Sequence, residues 1–298
     1  MRHKQVNYNS PFISVIVPVY NEESNIDNCL NSLLKQNYKK YEILVVDNNS
    51  TDNSQKKIRQ LMEKNKKIKL FVEKRQGAAS ARNTGINKSR GEILLFIDAD
   101  CIAQKDWIKR IIQPIIKNNE EVVMGFEEQI GDNYWINISQ EKDIEYMNKV
   151  KNGKYINTLD GKNFAIKSET IKDIMFDPGI KIFDDFELYL KLKKARKRIR
   201  FIPDLRVKHL HKNSLKKIII NNFKRGFWVM KIYRKHKKEN FKEIDKEIMF
   251  ESLSLKDFFA FIGGISNQLL IKHKKGSWFV LISGVSWRLG IIVSIFQK

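Results

Sequence analysis

Cysteine is nearly absent from this 298-residue chain. Cys29 and Cys101 are too few for a disulfide framework, and they do not have metal-ligand spacing. Cys29 fits a helix face and Cys101 a buried strand end, so both read as core thiols in a reducing compartment. An apolar leader is also missing. Residues 1–11 are polar with no hydrophobic run, and the chemistry is therefore expected on the cytoplasmic side. Internal repeats and low-complexity linkers are absent too. Acids are scarce, with 34 Asp and Glu against 56 Lys and Arg, a formal charge of +22. The deficit is concentrated between Lys191 and Asn240, where 19 basic residues face only Asp204 and Glu239. That field suits an anionic membrane surface or a pyrophosphate-bearing substrate; the plain alternative is a solvated basic face. It carries no nucleic-acid-binding motif and no regular aromatic interleaving, so no nucleic-acid partner is expected.

What is present argues for a folded chain. Hydrophobic residues make up 42% and there are 18 Phe, enough for one large domain or a domain with an appendage. The chain centres on Gly91-Glu92-Ile93-Leu94-Leu95-Phe96-Ile97-Asp98-Ala99-Asp100-Cys101. The run Ile93 to Ile97 lacks apolar/polar alternation, as a strand covered on both faces does. It stops at two carboxylates one residue apart. In an open α/β sheet, ligands gather at the carboxyl ends of strands, where this pair falls. Such oxygens suit Mg²⁺ or Mn²⁺, which share their coordination with substrate phosphates. An Asp-x-Asp can equally be a polar loop that caps the next helix.

Around it, strand and helix patterns alternate. Strands are expected over Phe12–Val17, Glu42–Val46, Ile68–Val72 and Glu121–Phe126. Helices are expected to open at Asn21–Ser24, to cover Asn53–Lys64 and Gly77–Lys88, and to run from Asp106 to Lys117 with an interruption at Pro114. The alternation implies a mostly parallel α/β sheet flanked by helices on both faces. Three strands end in acidic or Asn-rich turns, so Tyr20, Asn21, Glu22, Asp47, Asp98 and Asp100 should meet at one sheet edge. Further on, Lys162–Lys167 and Phe201–Lys208 read as strands. Asp184 opens a helix to about Lys194, and a helical pattern follows Ser214 to about Lys238. Leu255–Ile271 has a broad apolar face. Trp278–Phe296 is just long enough to cross a bilayer but holds Arg288 in its middle, at a cost of about 2.5–3.5 kcal/mol on insertion scales. Interfacial or re-entrant helices with basic flanks suit this tail better than a simple span; a buried helical subdomain or an oligomer interface is the alternative.

The segments Val15–Glu23, Val45–Asp52, Gln76–Ile86 and Gly91–Asp100, in that order, resemble family 2 glycosyltransferases of the GT-A fold. The resemblance covers roughly residues 12–235. It implies a GT-A domain over 1–240, with a nucleotide-binding half at 12–126 and an acceptor half at 127–240, and a hydrophobic helical extension at 241–298. By resemblance, Pro18, Tyr20 and Glu22 contact the base and ribose of a nucleotide-sugar, Asp47 the base edge, and Arg82 and Asn83 line the nucleotide pocket. Asp98 and Asp100 are the metal residues, Asp98 also meeting the ribose. His209, or as second choice His211, completes the ion's ligands or touches the diphosphate. Asn163 lies in a segment that resembles the one under the donor sugar. Asp184-Asp185-Phe186-Glu187-Leu188 resembles the family's acidic motif and makes Asp185 the general base, with Asp184 standing where the family usually has Glu.

The expected activity is inverting, metal-dependent transfer of a sugar from a nucleotide-sugar, UDP by resemblance, to a hydroxyl of a glycan or polyprenyl-linked acceptor in envelope assembly. The expected cofactor is Mn²⁺ or Mg²⁺. The expected location is peripheral, on the inner face of the cell membrane. A polyprenyl-phosphate sugar synthase is the alternative within the enzyme class, and a basic nucleic-acid binder is the distant one from another class.

Overall fold

The computed structural model describes residues 10–131, 134, 136–138, 140–141, 144, 154–210, 214–236 and 277–297. They fall into two compact units. One holds the residues up to 130 with 154–210; the other holds those between 131 and 144 with 214–236 and 277–297. In chain order the elements are β1 (Ile13–Val19), α1 (Ile26–Leu34), β2 (Tyr41–Asp47), α2 (Ser54–Lys64), β3 (Ile68–Val72), α3 (Ala78–Lys88), β4 (Ile93–Phe96), β5 (Cys101–Ala103) and α4 (Trp107–Asn118). There follow β6 (Val122–Ile130), β7 (Tyr155–Ile156), β8 (Phe164–Lys167), α5 (Ser168–Ile174), α6 (Asp184–Lys194), β9 (Ile199–Leu210), α7 (Leu215–His236) and α8 (Ser277–Phe296).

The sheet of the first unit runs β3-β2-β1-β4-β8-β6-β9-β5, with β7 paired to β9. The first four strands are parallel, as the strand-helix alternation implies. The other half is mixed: β8 is antiparallel to β4 and β6, β9 is parallel to β6, and β5 and β7 are antiparallel to β9. Successive residues of β1 enter opposite cores, which removes any polar face. Ile13, Val15, Val17 and Val19 join Leu30 of α1, Ile58 of α2 and Trp107 of α4. Ile16 joins Ile86 of α3, Ile171 of α5 and Leu188 of α6. Phe96 stacks on Phe164 at 4.4 Å with Phe176 edge-on at 5.8 Å, locking β4 to β8 below the site.

Two local expectations change. The first helix opens at Ile26, not at 21–24, because Glu22 and Glu23 serve the neighbouring loop: the Ser54 hydroxyl accepts from Glu22 N at 2.8 Å, and Glu23 Oε2 accepts from Asn53 N at 2.8 Å. Pro114 does not interrupt α4, which continues to Asn118 with Ile111, Ile112 and Ile115 buried. Burial of those three, about 1.5–3 kcal/mol each, outweighs the ~3 kcal/mol of an internal proline. The short β5, β7 and α5 carry too little periodicity to be read from sequence.

In the second unit α7 and α8 cross closely, and a Cβ on Gly226 would overlap the Trp287 carbonyl. Arg234 donates to the carbonyls of Ile295 and Gln297, both at 3.2 Å, capping the end of α8. Among the described residues no helix is long and apolar enough to cross a membrane. Leu255–Ile271, and the expected boundary at 240/241, lie outside the described residues.

Candidate active site

The parallel order places the carboxyl ends of β1, β2 and β4 side by side. A cleft of about 280 Å³ opens there, lined in part by Pro18, Tyr20, Glu22, Asn48, Arg82, Asp98 and Asp100. The start of α3 also faces it through Gln76, Gly77 and Ala78, so the positive end of a helix dipole adjoins the space. Asn48 holds that corner. Its Oδ1 accepts from Gly77 N at 2.7 Å, and its Nδ2 donates to the carbonyls of Glu73 and Arg75. Tyr20 is half-exposed at the mouth. Asp47 is fully buried, one residue behind the lining. Its Oδ2 accepts from Ser50 N and Gln55 Nε2, and its buried Oδ1 has no partner among the described residues.

Arg82 is the cation at the centre. Only 4% exposed, it donates through Nη2 to Asp98 at 2.8 Å and through Nη1 to Asp184 at 2.6 Å. Burial works against its charge, but Asp184, Asp98 and Asp185 outweigh that and hold the guanidinium protonated. It therefore ties the end of β4 to the first turn of α6, where Asp185 sits. Asp185 Oδ2 accepts from Gly161 N at 3.2 Å, and its Oδ1 from Phe186 N at 2.8 Å. Gly161 is a close approach: a Cβ there would lie 3.0 Å from Arg82 Nη2 and 3.5 Å from Asp185 Cβ.

Beyond Asp98 runs a second chain of charges. His209 on β9 pairs across the sheet with Cys101 of β5, which sets its ring beside Asp100. Its Nε2 lies 2.8 Å from Asp100 Oδ2, and its Nδ1 makes a short hydrogen bond with Glu127 Oε1. Lys162 Nζ reaches Glu127 Oε2 at 2.8 Å and Asp160 Oδ1 at 3.0 Å. Burial opposes charge on His209, yet the hydrogen bonds to Asp100 and Glu127 win and push its pKa up to about 10. Burial alone would raise Glu127; Lys162 and His209 hold it below the ordinary carboxylate range. Burial pushes Asp160 up to about 6. It also raises Glu22 and Asp98, with the neighbouring acids adding to the effect.

A divalent ion fits this donor set. Asp100, Cys101 and His209 can bring one ligand atom each within 4.8 Å of one another, and Asp98 opens into the same cleft. The Cys101 thiol is pushed far up by burial and is a poor ligand, which leaves carboxylates and an imidazole, the hard and borderline donors that Mn²⁺ or Mg²⁺ takes. Crowded acids whose ionisation is penalised by burial are what a cation relieves.

Of the expected site residues, Pro18, Tyr20, Glu22, Arg82, Asp98 and Asp100 line the cleft; Asp185 adjoins it beside Asp184, the partner of Arg82, and His209 adjoins it through Asp100. Asn83 and Asn163 do not face it. Asn83 makes two hydrogen bonds with the Phe176 backbone, at 2.9 and 3.0 Å. Asn163 is fully buried, its carboxamide taking Trp107 Nε1 and donating to the carbonyls of Phe126 and Leu205. Both brace the framework, because their polar atoms are already satisfied within the core. Glu127, Asp160 and Lys162 escape sequence reading, since their pairing joins β6, β9 and the turn before β8. His211 lies outside the described residues.

Residues 14–175 match the family model described as glycosyl transferase family 2. The chain is 43% identical over 118 residues to glycosyltransferase AglE of Haloferax volcanii, covering 39% of each protein. Over 241 residues it is 30% identical to an uncharacterized glycosyltransferase of Haemophilus influenzae, covering 77% of this chain and 90% of the relative. It is 28% identical, over 70% of both proteins, to the Methanococcus voltae dolichyl N-acetyl-alpha-D-glucosaminyl phosphate 3-beta-D-2,3-diacetamido-2,3-dideoxy-beta-D-glucuronosyltransferase. Its structure superposes with a TM-score of 0.74 and 19% identity on the mannosyltransferase PcManGT of Pyrobaculum calidifontis, solved with GDP-Man and Mn²⁺, over 98% of this chain and 89% of that one; this likeness speaks for the GT-A fold. The chain belongs to glycosyltransferase family 2.

Proposed function

We propose that this glycosyltransferase moves a sugar, with inversion, from a nucleoside-diphosphate donor to a hydroxyl of a lipid-linked envelope glycan. The observation that carries the reading is the placement of Asp98, Asp100 and His209 on one side of Arg82 and of Asp185 on the other. In this reading the nucleotide lies over the ends of β1 and β2, its diphosphate toward Asp98, Asp100 and the start of α3. The orphan Oδ1 of Asp47 supports a base-edge role, since a ring N–H would satisfy a buried acceptor. Asp98, Asp100 and His209 would hold a divalent ion, which supplies charge neutralisation for the departing diphosphate. Asp185 takes the acceptor hydroxyl proton as the oxygen bonds to the anomeric carbon and the bond to the diphosphate breaks. Arg82 keeps Asp185 in register with the donor side.

UDP is the proposed nucleotide, by resemblance to the family. The lipid-linked acceptor is supported by the dolichyl-phosphate substrate named for the Methanococcus voltae relative. An acceptor of that kind, with 19 basic residues between Lys191 and Asn240, supports work as a peripheral protein at the inner face of the membrane. Calorimetric titration with UDP, GDP and dTDP, each with Mn²⁺ or chelator, tests the donor side. Metal-dependent binding of UDP alone, lost in Asp100→Asn, is expected. Preference for GDP would overturn the UDP assignment, and binding to none would overturn the reading.

A further inference from the structure

Histidine can ligate an ion only through a ring nitrogen that carries no proton, so a binding site must settle where the remaining proton stays. Here the settling group is Glu127. Glu127 lies on β6, beside β9, and its Oε1 meets His209 Nδ1 while Asp100 Oδ2 meets Nε2 at 2.8 Å. Glu127 is itself pinned, because Lys162 Nζ engages its other oxygen at 2.8 Å and is anchored to Asp160 Oδ1 at 3.0 Å. His209 is 5% exposed, and turning its ring over would put carbon where both nitrogens now make hydrogen bonds.

We propose that Glu127 is a positioning residue for the metal site: when an ion displaces to solvent the Nε2 proton that bonds to Asp100, Glu127 keeps the remaining proton of His209 on Nδ1, so that the bare Nε2 faces the ion. This rests on the metal-binding reading above and adds to it a residue that acts through His209. Lys162 makes the device directional. In Glu127→Gln, the ammonium demands the amide oxygen, so the amide NH₂ faces Nδ1 and drives the proton to Nε2, where it blocks ligation. Lys162→Met added to Glu127→Gln removes that demand and lets the amide oxygen return to Nδ1.

Three measurements on the nucleotide-free full chain test this, with Mn²⁺ alone as the probe followed by electron paramagnetic resonance. Glu127→Gln should bind Mn²⁺ about 10–100-fold more weakly than the wild type. Glu127→Gln/Lys162→Met should recover most of that loss. Nitrogen-15 NMR of the wild type with Mg²⁺, its His209 signals identified by their loss in His209→Gln, should show the proton on Nδ1; this arm holds even where a Glu127 variant fails to fold. A wild-type proton on Nε2, equal Mn²⁺ affinity in folded Glu127→Gln, or no recovery in the double variant would overturn the proposal while the metal site stands. No Mn²⁺ binding by the wild type would overturn both.

Discussion

Replacing Arg82 with methionine would leave two carboxylates facing a cation that is no longer there. The Asp184 side chain is only 9% exposed and lies 2.6 Å from Nη1, so it keeps a buried charge with its strongest partner gone. Breaking a buried pair from one side costs about 3–5 kcal/mol. Asp98, 29% exposed, can recruit water, and solvent screening limits its share to under about 1 kcal/mol. The expected loss is therefore about 3–5 kcal/mol in mildly alkaline solution, and it should depend on pH. Burial already holds the Asp184 carboxyl above the ordinary range, with Arg82 opposing. Without Arg82 it rises further. An acid whose folded pKa lies above its unfolded value destabilises the fold fully above the folded pKa, and the penalty fades as pH falls toward the unfolded one. The deficit against wild type should be smaller at about pH 5.5 than at about pH 8, by about 1.4 kcal/mol for each pH unit over which Asp184 is protonated in the folded variant but not in the folded wild type. Urea unfolding followed by near-ultraviolet circular dichroism at the two pH values measures it. Equal deficits would refute the charge argument and leave only lost packing.

Other outcomes follow from the same geometry. Glu42, 2% exposed, accepts from Ser14, Lys69 and Arg90; burial raises its carboxyl, but these bonds outweigh burial and hold it below the ordinary range. That stability is present above the unfolded pKa and is lost as pH falls through the folded one, so Glu42→Gln should cost about 1–3 kcal/mol near neutrality and flatten the acid limb in a urea series. Asp185→Asn should cut kcat about 10²–10⁴-fold while calorimetry finds nucleotide affinity unchanged; equal loss of both would remove Asp185 from the base role. Gly226→Ala should loosen the α7–α8 crossing by about 1–3 kcal/mol, because the added methyl meets the Trp287 carbonyl. Hydrogen exchange of the α7 amides reads that change, and undiminished protection would count against close packing there.

Much of the fold was legible because its signals are local. The non-alternating run at β4 announced a strand covered on both faces, and the polar ends of β1, β2 and β4 marked one sheet edge. Asp184-Asp185 at the head of an apolar-periodic stretch located α6 to the residue. Other features were silent in the chain. Pro114 reads as a break until the isoleucines that hold α4 down are seen against the sheet. Asn83 and Asn163 sit in stretches that resemble donor-binding motifs, yet the core takes up their hydrogen bonds.

By itself, then, the sequence determined which residue types can do the chemistry and the order in which strands deliver them, since hydrophobic period and turn composition depend only on near neighbours. The tertiary structure decided which of them share a charge. Arg82 meets Asp98 and Asp184, and His209 meets Glu127, across separations of 16, 102 and 82 residues. Such pairs form only when the sheet brings distant strands together, and burial then makes each charge depend on its partner.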